Sequence, residues 1–148
     1  MNTSIKTIIV SLTLGAAVFG GCAGVAAAEE IAVIVNPKNS TASVTADQVE
    51  QIFLGKSAAL PGGGNASPVD QSDGSPIRDD FYQKATGKSN AQVKAIWSRL
   101  IFSGKSTPPK ALGSSAEVKK LVGSDPNGIG YIEKSAADAT VKVVLTLP

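Results

Sequence analysis

The sequence predicts an α/β domain built around a central sheet, on three observations. Ile31-Ala32-Val33-Ile34-Val35 is an unbroken apolar, β-branched run closed by Asn36-Pro37, which reads as a strand buried on both faces. Apolar residues then recur at helical spacing after Thr45, after Ser75, after Ser89 and after Ser114. Ile129–Ile132 and Val141–Leu145 close the chain as two further strands, so strands alternate with helices around one sheet.

Each element carries its own start and stop. Thr45 is an N-cap with Gln48 placed as in a capping box, Val49, Ile52 and Phe53 share one helical face, and Gly55-Lys56 supplies a left-handed stop with a cation near the negative helix end. Ser57 to Pro68, containing Pro61-Gly62-Gly63-Gly64-Asn65, is expected to be an exposed loop. Pro68-Val69 leads into a short strand, Asp73-Gly74 makes a tight turn, and a helix opens on Ser75 with Pro76 in its first turn and stops near Gly87. Ser89 caps a longer helix whose core stripe is Val93, Ile96, Trp97, Leu100 and Ile101; Trp97, in mid-stripe, is assigned to the core rather than to ligand stacking. That helix ends Ile101-Phe102-Ser103-Gly104-Lys105, an echo of Ile52-Phe53-Leu54-Gly55-Lys56 that shared helix-stop chemistry explains without an internal repeat. Ser106 to Gly113, with Pro108-Pro109, is expected to be a second loop. Ser114 or Ser115 starts a helix carrying Val118, Leu121 and Val122, Asp125-Pro126-Asn127-Gly128 forms a turn, and an Ala-rich helical turn separates the last two strands.

The first 28 residues have the pattern of an export signal: Lys6 as a positive start, an apolar run from Ile8 to Phe19, and Ala26-Ala27-Ala28 before Glu29. A periplasmic or secreted location follows. Lipid attachment at Cys22 ranks below simple cleavage, because Phe19 replaces the leucine usual in a lipoprotein box. Cleavage after Ala28 removes the one cysteine, and with it disulfides, thiol catalysis and thiolate metal sites. Residues 29–148 are enough for one domain with one modest core. Setting Lys6 aside leaves thirteen basic residues against twelve acidic, a balance that gives a nucleic-acid backbone no basic face to grip.

Several chemistry motifs fail on their spacing. Gly-Lys-Ser occurs at Gly55, Gly87 and Gly104, but a nucleotide phosphate loop needs a glycine five residues earlier, where Glu50, Tyr82 and Arg99 stand. Gly128-Ile129-Gly130 lacks the third glycine of a dinucleotide fingerprint and sits at a strand start. Asp70, Asp73, Asp79 and Asp80 do not follow calcium-loop spacing, and Asp79 and Asp80 are accounted for as first-turn acids favourable to the helix dipole. With no histidine and no Gly-x-Ser-x-Gly, a hydrolytic triad has no members; no cofactor, no metal and no enzymatic activity are expected.

One stretch retains chemical promise. The first N–H groups of a helix lack intrahelical partners and carry the positive end of its dipole, so the junction Val69–Phe81 offers an oxyanion a place to bind. The plainer account is that Ser75 caps its own helix and nothing binds.

Four stretches in order resemble the phosphate-binding proteins of bacterial ABC transporters, a branch of the type II periplasmic binding proteins. They are Ile31–Asn36, Val44–Lys56, Val69–Phe81 with Asp73-Gly74-Ser75, and Asp125–Ile132 with Gly128-Ile129-Gly130-Tyr131. The resemblance implies a mixed sheet flanked by helices over residues 29–148, forming one lobe of a fold that is two-lobed in the family. It also implies a ligand site for phosphate or a similar oxyanion at the Asp73-Gly74-Ser75 turn, to which the helix-start N–H groups of Ser75, Ile77 and Arg78 would add donors. The family motif Arg-x-Asp-Gly-Ser-Gly-Thr is altered here, with Gln71 at the arginine, Pro76 at the second glycine and Ile77 at the threonine, which removes a charge, an N–H and a hydroxyl. Arg78, one helical turn beyond Ser75, is the substitute cation if it folds back over the helix start.

Two functions are therefore expected to compete. The first is an exported solute-binding-like protein taking phosphate for an ABC-type uptake system, with the transporter's membrane component as partner. The second is a non-catalytic envelope interaction module, paired with itself as a dimer or with another protein, that kept the fold and lost the anion. An apolar surface patch at the face where a two-lobed relative packs its other lobe would favour the second.

Overall fold

The computed structural model describes residues 29–148; the expected export signal, with Cys22, lies outside the described residues. Among the described residues five strands and four α-helices follow in the order β1 (Ile31–Val35), α1 (Ala46–Phe53), β2 (Ser67–Gln71), α2 (Pro76–Thr86), α3 (Asn90–Phe102), β3 (Lys110–Leu112), α4 (Ser115–Ser124), β4 (Gly128–Glu133) and β5 (Lys142–Leu147). The strands form one mixed sheet in the order β3-β2-β4-β1-β5, as the α/β expectation requires. β1 runs antiparallel to both β4 and β5, whereas β2 runs parallel to β3 and β4.

β1 is fully buried because the sheet carries a core on each face. Ile31, Val33 and Val35 join Phe53, Phe81, Tyr82, Trp97, Ile129 and Tyr131 on the side of α1, α2 and α3, while Ala32 and Ile34 join Val69, Val118, Val122 and Ile132 on the side of α4. An apolar residue at every position of the strand is what two covered faces demand. The aromatic centre of the larger core is tight: Phe81 stacks on Tyr131 at 3.8 Å between centroids and meets Phe53 edge-on at 4.9 Å.

The local start and stop signals take the expected form. Thr45 with Gln48 and Ser89 with Gln92 make complete capping boxes, and Gly55, Gly87 and Gly104 lie in the left-handed region at the helix ends. Three expectations are corrected. Ser106–Gly113 is not wholly loop, since Lys110–Leu112 adds to the sheet edge beside β2; with two prolines before it, three residues show no alternation to identify a strand. Ile101 is 53 % exposed rather than part of the core stripe. Leu60 is buried within the glycine-rich loop, which closes back on itself through an Ala59–Asn65 bridge.

Candidate functional site

The junction between β2 and α2 is built from a strand end, a turn and a proline-started helix. Ser72 is tied to β3 through its N–H to the Leu112 carbonyl at 2.8 Å, Gly74 takes φ +85°, and Ser75 sits at the N-cap ahead of Pro76. The Ser75 hydroxyl does not cap the helix; it approaches the Gln71 side-chain oxygen at 3.4 Å. Most amides of the first turn are committed within the chain. Ser75 N–H donates to Ser72 O at 3.1 Å, Arg78 N–H to Ser75 O at 3.0 Å, and Pro76 has no N–H, so the Ile77 amide alone of this turn makes no bond among the described residues.

Arg78 turns away from the helix start. It is 8 % exposed, lies 5.0 Å over the Tyr82 ring, and donates through Nε to Asp70 Oδ2 at 3.4 Å and through a second nitrogen to Asn90 Oδ1. Asp70, 4 % exposed on β2, is the hub of this arrangement. Its carboxylate accepts from the Tyr82 hydroxyl at 2.7 Å, from the Tyr131 hydroxyl, and from the Gln71 N–H at 2.8 Å. A buried charge needs such company, since an unpaired one costs several kcal/mol, roughly 3–5 when a partner is deleted. Burial, then the negative charge of Asp70, pushes both tyrosine hydroxyls far above their ordinary pKa and keeps them protonated donors. Burial, the largest single influence, works against the Arg78 charge, but Asp70, Tyr82 and Tyr131 beside it together outweigh that and raise the arginine pKa.

Asp73 behaves differently. Exposed at the turn, it accepts from Lys94 and from Asn90 Nδ2 at 2.7 Å, and lies 3.8 Å from the Arg78 guanidinium. Those hydrogen bonds, Lys94 first, hold its carboxyl down at about 2. Both cations near the turn thus already face a carboxylate.

The structure sorts the five sequence-identified residues onto different surfaces. Asp73 and Arg78 line a groove of about 430 Å³ with Lys94, Trp97, Ile101 and Pro109. Gly74 closes the turn with open space around it, Ser75 faces Gln71, and Ile77 lines a separate hollow of about 140 Å³ with Glu29 and Asp80. Gln71, at the arginine position of the family motif, is 2 % exposed and spends its amide on Ser115 Oγ at 2.9 Å and on the Tyr131 carbonyl at 3.3 Å.

Sequence reasoning missed Asp70 as a hub and gave no role to Tyr82 and Tyr131. A signal for Tyr131 was present in Gly130-Tyr131. A Cβ on Gly130 would stand 2.7 Å from Val118 Cγ1, so the glycine lets α4 lie against β4, from which Tyr131 reaches Asp70. Among the described residues no cluster of His, Cys, Asp and Glu is arranged to hold a metal ion, and no helix is long and apolar enough to cross a membrane.

This fold is that of one lobe of a periplasmic substrate-binding protein, and its structural neighbours are phosphate ABC transporter substrate-binding proteins. One, from Clostridium perfringens, assigned to that class and solved with bound phosphate, superposes with a TM-score of 0.64 at 27% identity over 78% of this chain and 44% of its own. An ABC-type phosphate transport receptor from Vibrio cholerae gives 0.62 at 19% identity over 78% and 45%, and PstS from Borrelia burgdorferi gives 0.59 at 13% over 78% and 47%. The last two show the fold alone. The chain spans less than half the length of each of these proteins. No protein-family model matches the sequence, and a sequence comparison with curated proteins finds no match.

Proposed function

We propose that this chain is an exported, non-enzymatic solute-binding-like protein that takes inorganic phosphate or a similar oxyanion, working with an ABC-type transporter. The observation that carries the reading is the fold shared, at 27% identity, with a structure holding phosphate. The Asp73-Gly74-Ser75 turn supports it by placing a hydroxyl and the uncommitted Ile77 amide at the start of α2. In this reading Ser75 and Ile77 bind the anion by hydrogen bonds, Gly74 gives the turn its positive φ, and Asp73 and Arg78 hold the turn against α3. No bond of the ligand is made or broken. Binding is weak, because Arg78 is already balanced by Asp70 and water keeps access to the helix start. Calorimetric titration with phosphate, with sulfate as control, tests it. Saturable heat that Ser75→Ala reduces by about tenfold in affinity is expected, one hydrogen bond to a charged group being lost. Absence of heat at millimolar phosphate overturns it.

A second reading has its own observation. Phe102 is 96 % exposed and adjoins Ile101 at the rim of the groove that Asp73 and Arg78 line. A protein-interaction module, pairing with a second copy or another envelope protein, accounts for that apolar patch. Sedimentation analysis tests the self-paired form: a dimer that Phe102→Asp dissociates supports self-association, and a monomer at all concentrations excludes that form.

A further inference from the structure

The Gly-Lys-Ser tripeptides that fail as nucleotide loops acquire another meaning from their placement. α1 and α3 end side by side, and the chain leaving each, Gly55-Lys56-Ser57 after α1 and Lys105-Ser106-Thr107 after α3, lines one pocket of about 320 Å³ with Trp97. No carboxylate lines it. The Nζ of Lys105 forms neither an ion pair nor a hydrogen bond among the described residues, and the hydroxyls and amides of Ser106 and Thr107 likewise make no bond as donors. Ser57 accepts from the Ala59 N–H at 3.2 Å, leaving its hydroxyl proton unspent.

Lysines after a helix commonly serve its terminal carbonyls. Here backbone amides already do so: Lys56 N–H donates to Gln51 O at 2.8 Å and Lys105 N–H to Leu100 O at 3.1 Å. The ammonium groups are free of that task. Lys56 does meet Glu50 at 3.0 Å, but Lys88, from the third tripeptide, shares the same carboxylate at 3.2 Å, so the neighbourhood stays net positive. At the start of α2, by contrast, both nearby cations are matched by Asp70 and Asp73, and the amides of Ser75 and Arg78 are spent.

We infer that the pocket between the ends of α1 and α3 is an oxyanion site, in which Lys105 and Lys56 supply the charge and Ser57, Ser106 and Thr107 supply the donors to a small tetrahedral anion such as phosphate. The inference rests on the proposed oxyanion binding but gives it a place separate from α2, so the two fail separately. Titration of the ¹⁵N-labelled protein with inorganic phosphate, followed by amide NMR, tests both. Saturable shifts at Ser106 and Thr107 are expected, with the dissociation constant read at those two amides raised about tenfold or more by Lys105→Ala. The pair Ser106→Ala and Thr107→Val, which keeps the lysines, is expected to weaken binding as well. Shifts confined to Ser75 and Ile77 and abolished by Ser75→Ala overturn the new site and uphold the α2 reading. Shifts at Ser106 and Thr107 that survive Lys105→Ala and the hydroxyl pair overturn the new site as non-specific charge screening. No saturable shift at either place overturns both.

Discussion

Ile52-Phe53-Leu54-Gly55-Lys56 and Ile101-Phe102-Ser103-Gly104-Lys105 end their helices in the same backbone geometry and bury opposite amounts of their phenylalanine. Gly55 and Gly104 have φ of +69° and +67°. Their amides return to Ile52 O at 3.3 Å and Ile101 O at 3.0 Å, and the following lysine amides reach Gln51 O and Leu100 O. Yet Phe53 is 0 % exposed and Phe102 96 %. Five residues suffice to stop a helix, since the interactions involved span one turn. They say nothing of what the fold sets opposite. Phe53 meets Phe81 and Tyr131 edge-on, and its carbonyl accepts from Trp97 Nε1 at 3.1 Å, whereas no buried core residue is placed over Phe102.

The largest separation of the two stops comes from truncating the phenylalanines. Phe53→Ala removes a ring from a closed aromatic core and is expected to cost about 3–5 kcal/mol in denaturant unfolding, against less than about 0.5 kcal/mol for Phe102→Ala. Equal losses would mean that Phe102 is covered in solution.

The glycines separate the stops by a smaller amount. Both replacements by alanine place a side chain at positive φ, a cost of about 1 kcal/mol. At Gly55 the new Cβ would also stand 2.8 Å from the Trp97 ring and 3.0 Å from Leu100 Cδ1, while at Gly104 nothing lies within 4 Å. Gly55→Ala is therefore expected to lose about 2–4 kcal/mol and Gly104→Ala about 1. Thermal melts of the two variants giving the same shift would show that Trp97 yields without cost.

Acid sharpens the contrast further. The first stop is braced by Glu50, whose carboxyl lies below its ordinary 4.5 through the Lys56 hydrogen bond, with Lys88 adding to it against the opposing effect of burial. A carboxyl lowered on folding contributes stability above its unfolded pKa and loses it as pH falls through the folded one. Stability measured from pH 6 downward is expected to fall below about pH 4.5, and Glu50→Gln to flatten that part of the curve. Lys105 has no such partner, so Lys105→Gln is expected to leave the acid limb as it is. The smallest effect expected is that of Ser103→Leu, which makes the second stop match the first at the C-cap without giving it a core to enter; its denaturation midpoint should stay within about 0.5 kcal/mol of the parent.

The same division runs through the candidate site. Its chain positions were legible: Ser75 does stand at the N-cap, Pro76 does open α2 and Gly74 does take the positive φ of the turn. The direction of Arg78 was not. Its course depends on Asp70 eight residues earlier and Asn90 twelve residues later, and neither separation places a partner by helical geometry. Nor was the role of Asp70 legible, because the two tyrosines that donate to it come from 12 and 61 residues away. β3 was invisible for a related reason: three residues become a strand only because β2 lies alongside.

Helix starts, helix stops and the double-sided burial of β1 follow from residues within a few positions of each other, so composition and spacing suffice to specify them. Which phenylalanine is covered, where the arginine charge is spent and which two Gly-Lys-Ser segments share a pocket depend on contacts between distant parts of the chain. Backbone hydrogen bonding within one turn is local physics; burial and charge pairing are decided by whatever the closed sheet brings together.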